Sequence, residues 1–218
     1  MTQTQAVKFY SPLEEGINVY SHVLGIILSV VGLITLIIRA ASYGDVWQLV
    51  SVSIYGISLI ILFTASSVYH ASKDAVIRSR LRVFDHASIY VMIAGTYTPF
   101  TLVTLSGTVG WTIFGITWGM AIIGIVLKLF YTGHFKILST AMYLLMGWMI
   151  VFAIQSLVEN IAPQGLNLLI AGGLAYTLGA VLYSIKAIPL NHAIFHVLVL
   201  LGSAFHFFAV YFYVLSGA

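Results

Sequence analysis

The chain has 218 residues, of which 61% are hydrophobic and only 7% charged, where a soluble domain carries about 25% charged residues. Its formal charge of +3 is too small and too dispersed for a nucleic-acid partner, and it contains no cysteine, which excludes disulfides and thiolate metal sites. Composition therefore points to an all-α integral membrane protein, expected to form one domain over residues 1–218, whose only metal ligands can be His, Asp or Glu.

The polar stretch from Met1 to Pro12 lacks a short apolar core followed by a small-residue cleavage site, so the first helix is expected to be retained. Crossing the hydrocarbon takes about 20 apolar residues. Seven stretches qualify, at roughly 18–39, 46–70, 83–104, 111–130, 137–157, 166–185 and 192–215. In order, the gaps between them hold Asp45, then Lys73-Asp74 with the arginines, then Ser106-Gly107, Gly133-His134, Ala162 to Gly165, and Pro189. With the N-terminus inside, Lys8, Lys73, Arg78, Arg80, Arg82, Lys128, Lys136 and Lys186 all face the cytoplasm and only Arg39 lies outside. The excess of basic residues on one side fixes the expected orientation as N-terminus cytoplasmic and C-terminus outside.

The first span opens with Glu15, Asn18 and His22, spaced i, i+3, i+7 on one helix face. The second ends with Ser66 and His70, and the third begins with Asp85-His86. Pro99, after Thr96-Tyr97-Thr98, removes one ladder hydrogen bond and should kink or unwind the third span, with Tyr97 and Thr98 available to the freed carbonyls. Gly119, Gly124 and Gly147, and the run from Ala171 through Gly172-Gly173 and Ala175 to Gly179-Ala180, are expected to allow close helix packing. Trp47, Trp111, Tyr131 and Tyr213 fit interfacial belts. The seventh span opens with His192 and His196, one turn apart on one face.

Four helices thus place polar residues at one depth near the inner interface, whereas Asp45 and Glu159 on the outer side are expected in loops. Ionisable groups cost about 2.5–3.5 kcal/mol each at the centre of a span, so a cluster of them implies mutual satisfaction. Three neutral imidazoles, His70, His192 and His196, can ligate one zinc and leave a fourth position open. The H-x-x-x-H spacing is the one that zinc hydrolases use on a helix. Asp85 is then the general base or water-orienting group, and Ser66 a hydrogen-bonding partner one turn deeper.

Each residue also has a plainer reading. Interfacial histidines often sit at headgroup level, and Glu15 suits the positive end of a helix dipole. His22 reads as an outer partner or a helix-packing hydrogen bond, His86 as a surface or interhelical contact, and His134 as a solvated loop residue. His206 lies about 15 Å beyond His196 along its helix, too far for the same ion, and reads as a buried hydrogen-bonded imidazole.

Together Glu15-Gly16-Ile17-Asn18-x3-His22, Ser66-x3-His70, Phe84-Asp85-His86, Ala94-Gly95-Thr96-Tyr97-Thr98-Pro99-Phe100, Met146-Gly147-Trp148, Asn191-His192-x3-His196 and Gly202-Ser203-x2-His206-Phe207 resemble the hemolysin III family over essentially the whole chain. That family is the bacterial branch of the progestin and adipoQ receptor family, to which the adiponectin receptors belong. The resemblance implies a seven-helix fold with its N-terminus inside and a zinc ion near the cytoplasmic face. It implies His70, His192 and His196 as ligands, with Asp85 and Ser66 partnering the zinc water. The wider superfamily includes alkaline ceramidases, so hydrolysis of a lipid amide is the implied chemistry. The family name reflects a cytolytic, pore-forming property of some members.

Three functions therefore compete: a zinc hydrolase acting on a membrane lipid amide or ester, a pore former built by homo-oligomerisation, and a sensor of lipid state stapled by zinc. No span carries a polar stripe along its length, which argues against a wide pore within one chain.

Overall fold

The computed structural model describes residues 8–131 and 136–215. Among the described residues seven helical stretches are long and apolar enough to cross a membrane, and no strand occurs. Lipid offers the backbone no hydrogen-bond partner, and a helix satisfies its backbone groups within the segment. The expectation about His134 falls outside the described residues.

Helix α1 (Pro12–Tyr43) starts earlier than hydropathy alone places it. Ser11 caps it by accepting the Glu14 N–H at 3.2 Å, proline takes the first position, and Glu14 and Glu15 fill the first turn. Helix α2 (Val46–Ala71) is capped by Asp45, which accepts the Gln48 N–H at 2.8 Å. Helix α3 (Ala75–Pro99) corrects the expected gap, because Arg78, Arg80 and Arg82 are helical and not in a loop. A hydropathy window reads charges as loop, but Asp74 accepts the Val76 and Ile77 N–H groups at 2.9 and 2.8 Å and starts the helix before the apolar residues begin.

Pro99 does unwind the third span, which continues as a π-helical turn over Phe100–Leu105. Thr98 Oγ1 donates to the Ala94 carbonyl at 2.9 Å. Tyr97 does not serve its own helix as expected. Its hydroxyl donates to the Gly147 carbonyl at 2.9 Å and accepts the Ile150 N–H at 3.0 Å. The fifth span is accordingly broken into α5 (Lys136–Gly147), a 3-10 turn over Met149–Ala153, and α6 (Ile154–Asn160). Tyr97 supplies hydrogen bonds that an interrupted helix in lipid would otherwise lack. Glu159, expected in a loop, is helical and accepts from Gln155 Nε2 at 3.2 Å.

The remaining helices are α4 (Gly107–Tyr131), α7 (Pro163–Ser184) and α8 (Asn191–Ala209), which ends in a second π turn over Val210–Val214. Helix α1 packs on α2 and α8, α2 on α3, α3 on α4, and α7 on α8. Leu36, Val52, Tyr55, Phe63, Tyr97, Phe100 and Val210 form the buried centre. Lipid tails are as apolar as these side chains, so close approach of helices matters more than burial itself. Gly25 shows this: a Cβ there would stand 2.7 Å from the Phe63 ring. Gly119, Gly147 and Gly173 do not serve packing as expected, because nothing lies within 4 Å of a Cβ at those positions.

Candidate metal centre

The chain's alternation brings the start of α1, the end of α2 and the starts of α3 and α8 to one end of the bundle. His70 comes from α2, and His192 and His196 from α8; they are 3%, 9% and 2% exposed. The nitrogens these three residues offer all lie within 4.8 Å of one another. Nε2 of His192 is 3.0 Å from Nε2 of His70 and 2.9 Å from Nε2 of His196.

The outer nitrogens decide what the inner ones can do. His70 Nδ1 lies 2.7 Å from a Glu15 carboxylate oxygen, and His192 Nδ1 lies 3.2 Å from the Tyr10 hydroxyl. Carboxylate is an acceptor, so His70 carries its hydrogen on Nδ1, and one of the two neutral tautomers of His192 likewise donates from Nδ1 to Tyr10. Asn18 Nδ2 also stands 3.3 Å from His70 Nδ1. Turning that amide gives its otherwise unpartnered Oδ1 to the ring N–H. In that tautomer two facing Nε2 atoms direct lone pairs at each other in a buried site, an arrangement that a cation between them relieves. Three nitrogens at zinc-like bond lengths would stand about 3.3–3.4 Å apart, so a small opening of the cluster would fit an ion. An acid or hydroxyl holding the far nitrogen is how proteins orient metal-bound histidines.

Arg78, in sequence one more positive charge on the inner side, lies in the first turn of α3. It is 1% exposed and pairs with Glu15 through a short contact. It also donates to the carbonyls of His70 and Ser72 at 3.1 and 3.0 Å, and its guanidinium lies over the rings of Phe9 and Tyr69, each at 4.6 Å. Glu15 therefore serves the helix dipole and the histidine cluster together. Removing one partner of a buried pair costs about 3–5 kcal/mol, and losing an outer support of a metal ligand costs about 10–100-fold in metal affinity. Arg78→Ala should show both, as a lower melting temperature and weaker metal retention against a competing chelator. Arg78→Lys should recover part of the first but little of the second, because lysine cannot reach the carboxylate and two carbonyls at once.

Asp85, 8% exposed, does not join the three nitrogens but lies beside the Ser66 hydroxyl. His22 is 3% exposed and stacks on His196 with ring centres 3.8 Å apart, and neither of its nitrogens has a hydrogen-bond partner among the described residues. It touches the cluster through its ring face, where a helix-packing hydrogen bond was one expectation. The His86 ring stands 4.0 Å from the Asp85 carboxylate, and its carbonyl accepts from Tyr143 Oη at 2.8 Å, an interhelical contact. His206 is buried elsewhere in α8, with Nε2 donating to the Leu169 carbonyl at 3.1 Å.

Sequence reasoning missed Tyr10 and Tyr183, whose rings pack on His192 at 4.6 and 5.0 Å between centres. The only available signal was their aromatic character at the ends of two helices meeting at this depth.

The family model described as haemolysin-III related matches residues 10–207, which span all of these side chains up to His206. The chain belongs to the haemolysin-III related family. This haemolysin-III related chain is 44% identical over 215 residues to Hemolysin-3 of Bacillus cereus, covering 99% of this chain and 96% of the relative. It is 44% identical over 200 residues to the Hemolysin-3 homolog of Bacillus subtilis (strain 168), covering 92% and 94%. It is also 31% identical over 208 residues to the human Monocyte to macrophage differentiation factor, covering 92% and 84%. Family membership and seven apolar helices together make it a multi-pass membrane protein with a three-histidine cluster that could hold a metal ion.

Proposed function

We propose that this protein is a zinc-dependent hydrolase that cleaves an amide or ester bond of a membrane lipid at the inner leaflet. The observation that supports it most is the convergence of three Nε2 atoms, with Glu15 and Tyr10 holding the far sides of two of the rings. His70, His192 and His196 are the residues that would hold the ion. An all-imidazole set suits zinc among the metals that imidazole can bind, and three protein ligands leave one position open. When bound, zinc would supply Lewis acidity, bringing the pKa of water to about 7 and polarising a carbonyl oxygen. Asp85 would take a proton from the attacking water and return it to the leaving amine or alcohol. Ser66 would hold that carboxylate in place. The same reading treats residues 1–218 as one domain of a bacterial inner membrane, with the basic end, rich in Lys and Arg, facing the cytoplasm.

The test is release of free fatty acid from a panel of lipid amides and esters by zinc-loaded protein in nanodiscs, read by mass spectrometry. Equal release by His196→Ala, or none from any lipid, would sink the proposal. The name of the Bacillus cereus relative favours a second reading, membrane permeabilisation. Dye release from liposomes that survives both chelation and loss of the histidines would select it over the enzyme.

Ligand imidazoles must be neutral, so protons compete with the metal for Nε2. Metal affinity should therefore fall as pH drops, once the rings begin to take protons. Metal retention followed from pH 8 to pH 4 at a fixed free-zinc concentration checks this, and a flat profile would contradict a histidine site.

A further inference from the structure

His192 is held between two tyrosines, and each tyrosine carries an ammonium group on its ring face. Tyr10 stacks on the imidazole and meets its Nδ1, while Tyr183, in the last turn of α7, meets it edge-on. Lys8 Nζ stands 4.1 Å from the centre of the Tyr10 ring, and Lys186 Nζ stands 4.1 Å from the centre of the Tyr183 ring. Lys186 Nζ also donates to the Tyr183 carbonyl at 3.0 Å. Two cations are thus fixed on the tyrosine wall of the histidine cluster.

Neither cation is neutralised nearby. Both lysines are exposed, and neither forms an ion pair with a carboxylate among the described residues. Three acids face this wall and each is engaged: a Glu14 oxygen accepts the His192 N–H at 3.2 Å, Glu15 is held by Arg78 and His70, and Asp85 lies beside the Ser66 hydroxyl. Burial, and then the neighbouring Lys8 ammonium, hold the Lys186 ammonium below its ordinary value. Lys8 precedes α1 and Lys186 follows α7, so both lie just outside apolar helices, where a spanning helix meets lipid headgroups.

We propose that Lys8 and Lys186 form an anion-accepting mouth beside the histidine cluster, which receives the carboxylate or phosphate end of an amphiphile whose chain stays in the bilayer. The proposal deepens the lipid reading given above and rests on it, but it does not require the metal. It makes the substrate, or the acid released from it, an anionic lipid.

Equilibrium binding of radiolabelled decanoate, decyl phosphate and decanol to the full chain in zwitterionic nanodiscs tests it, with zinc-loaded and chelator-treated protein in parallel. Both anions should bind about tenfold more tightly than decanol, as two exposed charge contacts allow. That preference should shrink at high salt. The exposed double variant Lys8→Gln/Lys186→Gln should lose the preference while binding decanol as before, and Lys73→Gln, an exposed cation of the same end, should keep it. No preference for the anions, or equal loss in Lys73→Gln, would overturn the mouth. Displacement of decanoate by an equal concentration of inorganic phosphate would overturn the amphiphile in favour of a soluble anion. A preference that survives in chelator-treated protein supports the mouth even where zinc uptake fails, which separates it from the hydrolase reading.

Discussion

His196→Ala should purify without stoichiometric metal and release no fatty acid, while the wild-type protein carries about one ion per chain. The expectation follows from the geometry of three Nε2 atoms of which two come from a single helix turn. Losing an outer partner of a metal ligand already costs about 10–100-fold in affinity, and losing the ligand itself must cost more. His196 is buried and stacks on His22, so alanine also leaves a cavity. His70→Ala, on a different helix, separates the two effects: both variants should lose the metal, whatever their melting temperatures. Elemental analysis of the three proteins side by side is the check. Full metal content in either variant would remove the residue from the ligand set.

Asp85→Asn should do the reverse, keeping the metal and losing the chemistry. The amide has nearly the shape of the carboxylate and can still meet Ser66, but it takes no proton. A general base contributes about 10²–10⁴-fold, so kcat should fall by that order with KM little changed. Metal content and melting temperature should stay close to wild type, because Asp85 lies outside the histidine cluster. Unchanged kcat would take the general-base role from Asp85, and lost metal would make it a ligand.

The spans were legible because lipid imposes a length and a polarity that hydropathy reads directly. Their ends were less so. Arg78, Arg80 and Arg82 look like a loop to any hydropathy window, yet Asp74 caps the helix before them. The interruption of the fifth span was hidden because the Met146-Gly147-Trp148 stretch stays apolar. What sustains the break is the Tyr97 hydroxyl of another helix, a contact with no local signature.

The three-histidine cluster was legible for a related reason, since ionisable groups inside a membrane must answer one another. His70, His192 and His196 could be placed at one depth by counting turns. Their outer partners could not. Tyr10 lies in the polar segment before the first span, and Arg78 was visible only as one more positive charge on the inner side. The link between Arg78, Glu15 and His70 depends on the relative rotation of three helices, which residue spacing within any one of them does not encode.

Three imidazole Nε2 atoms are proposed to hold one metal at the basic end of the bundle. X-ray absorption at the zinc edge of the purified, zinc-loaded protein measures this most directly. Three imidazole nitrogens at about 2.0–2.1 Å and one further light atom are expected around the zinc. A first shell of oxygens without imidazole scattering, or a protein that takes up no zinc at neutral pH, would contradict it.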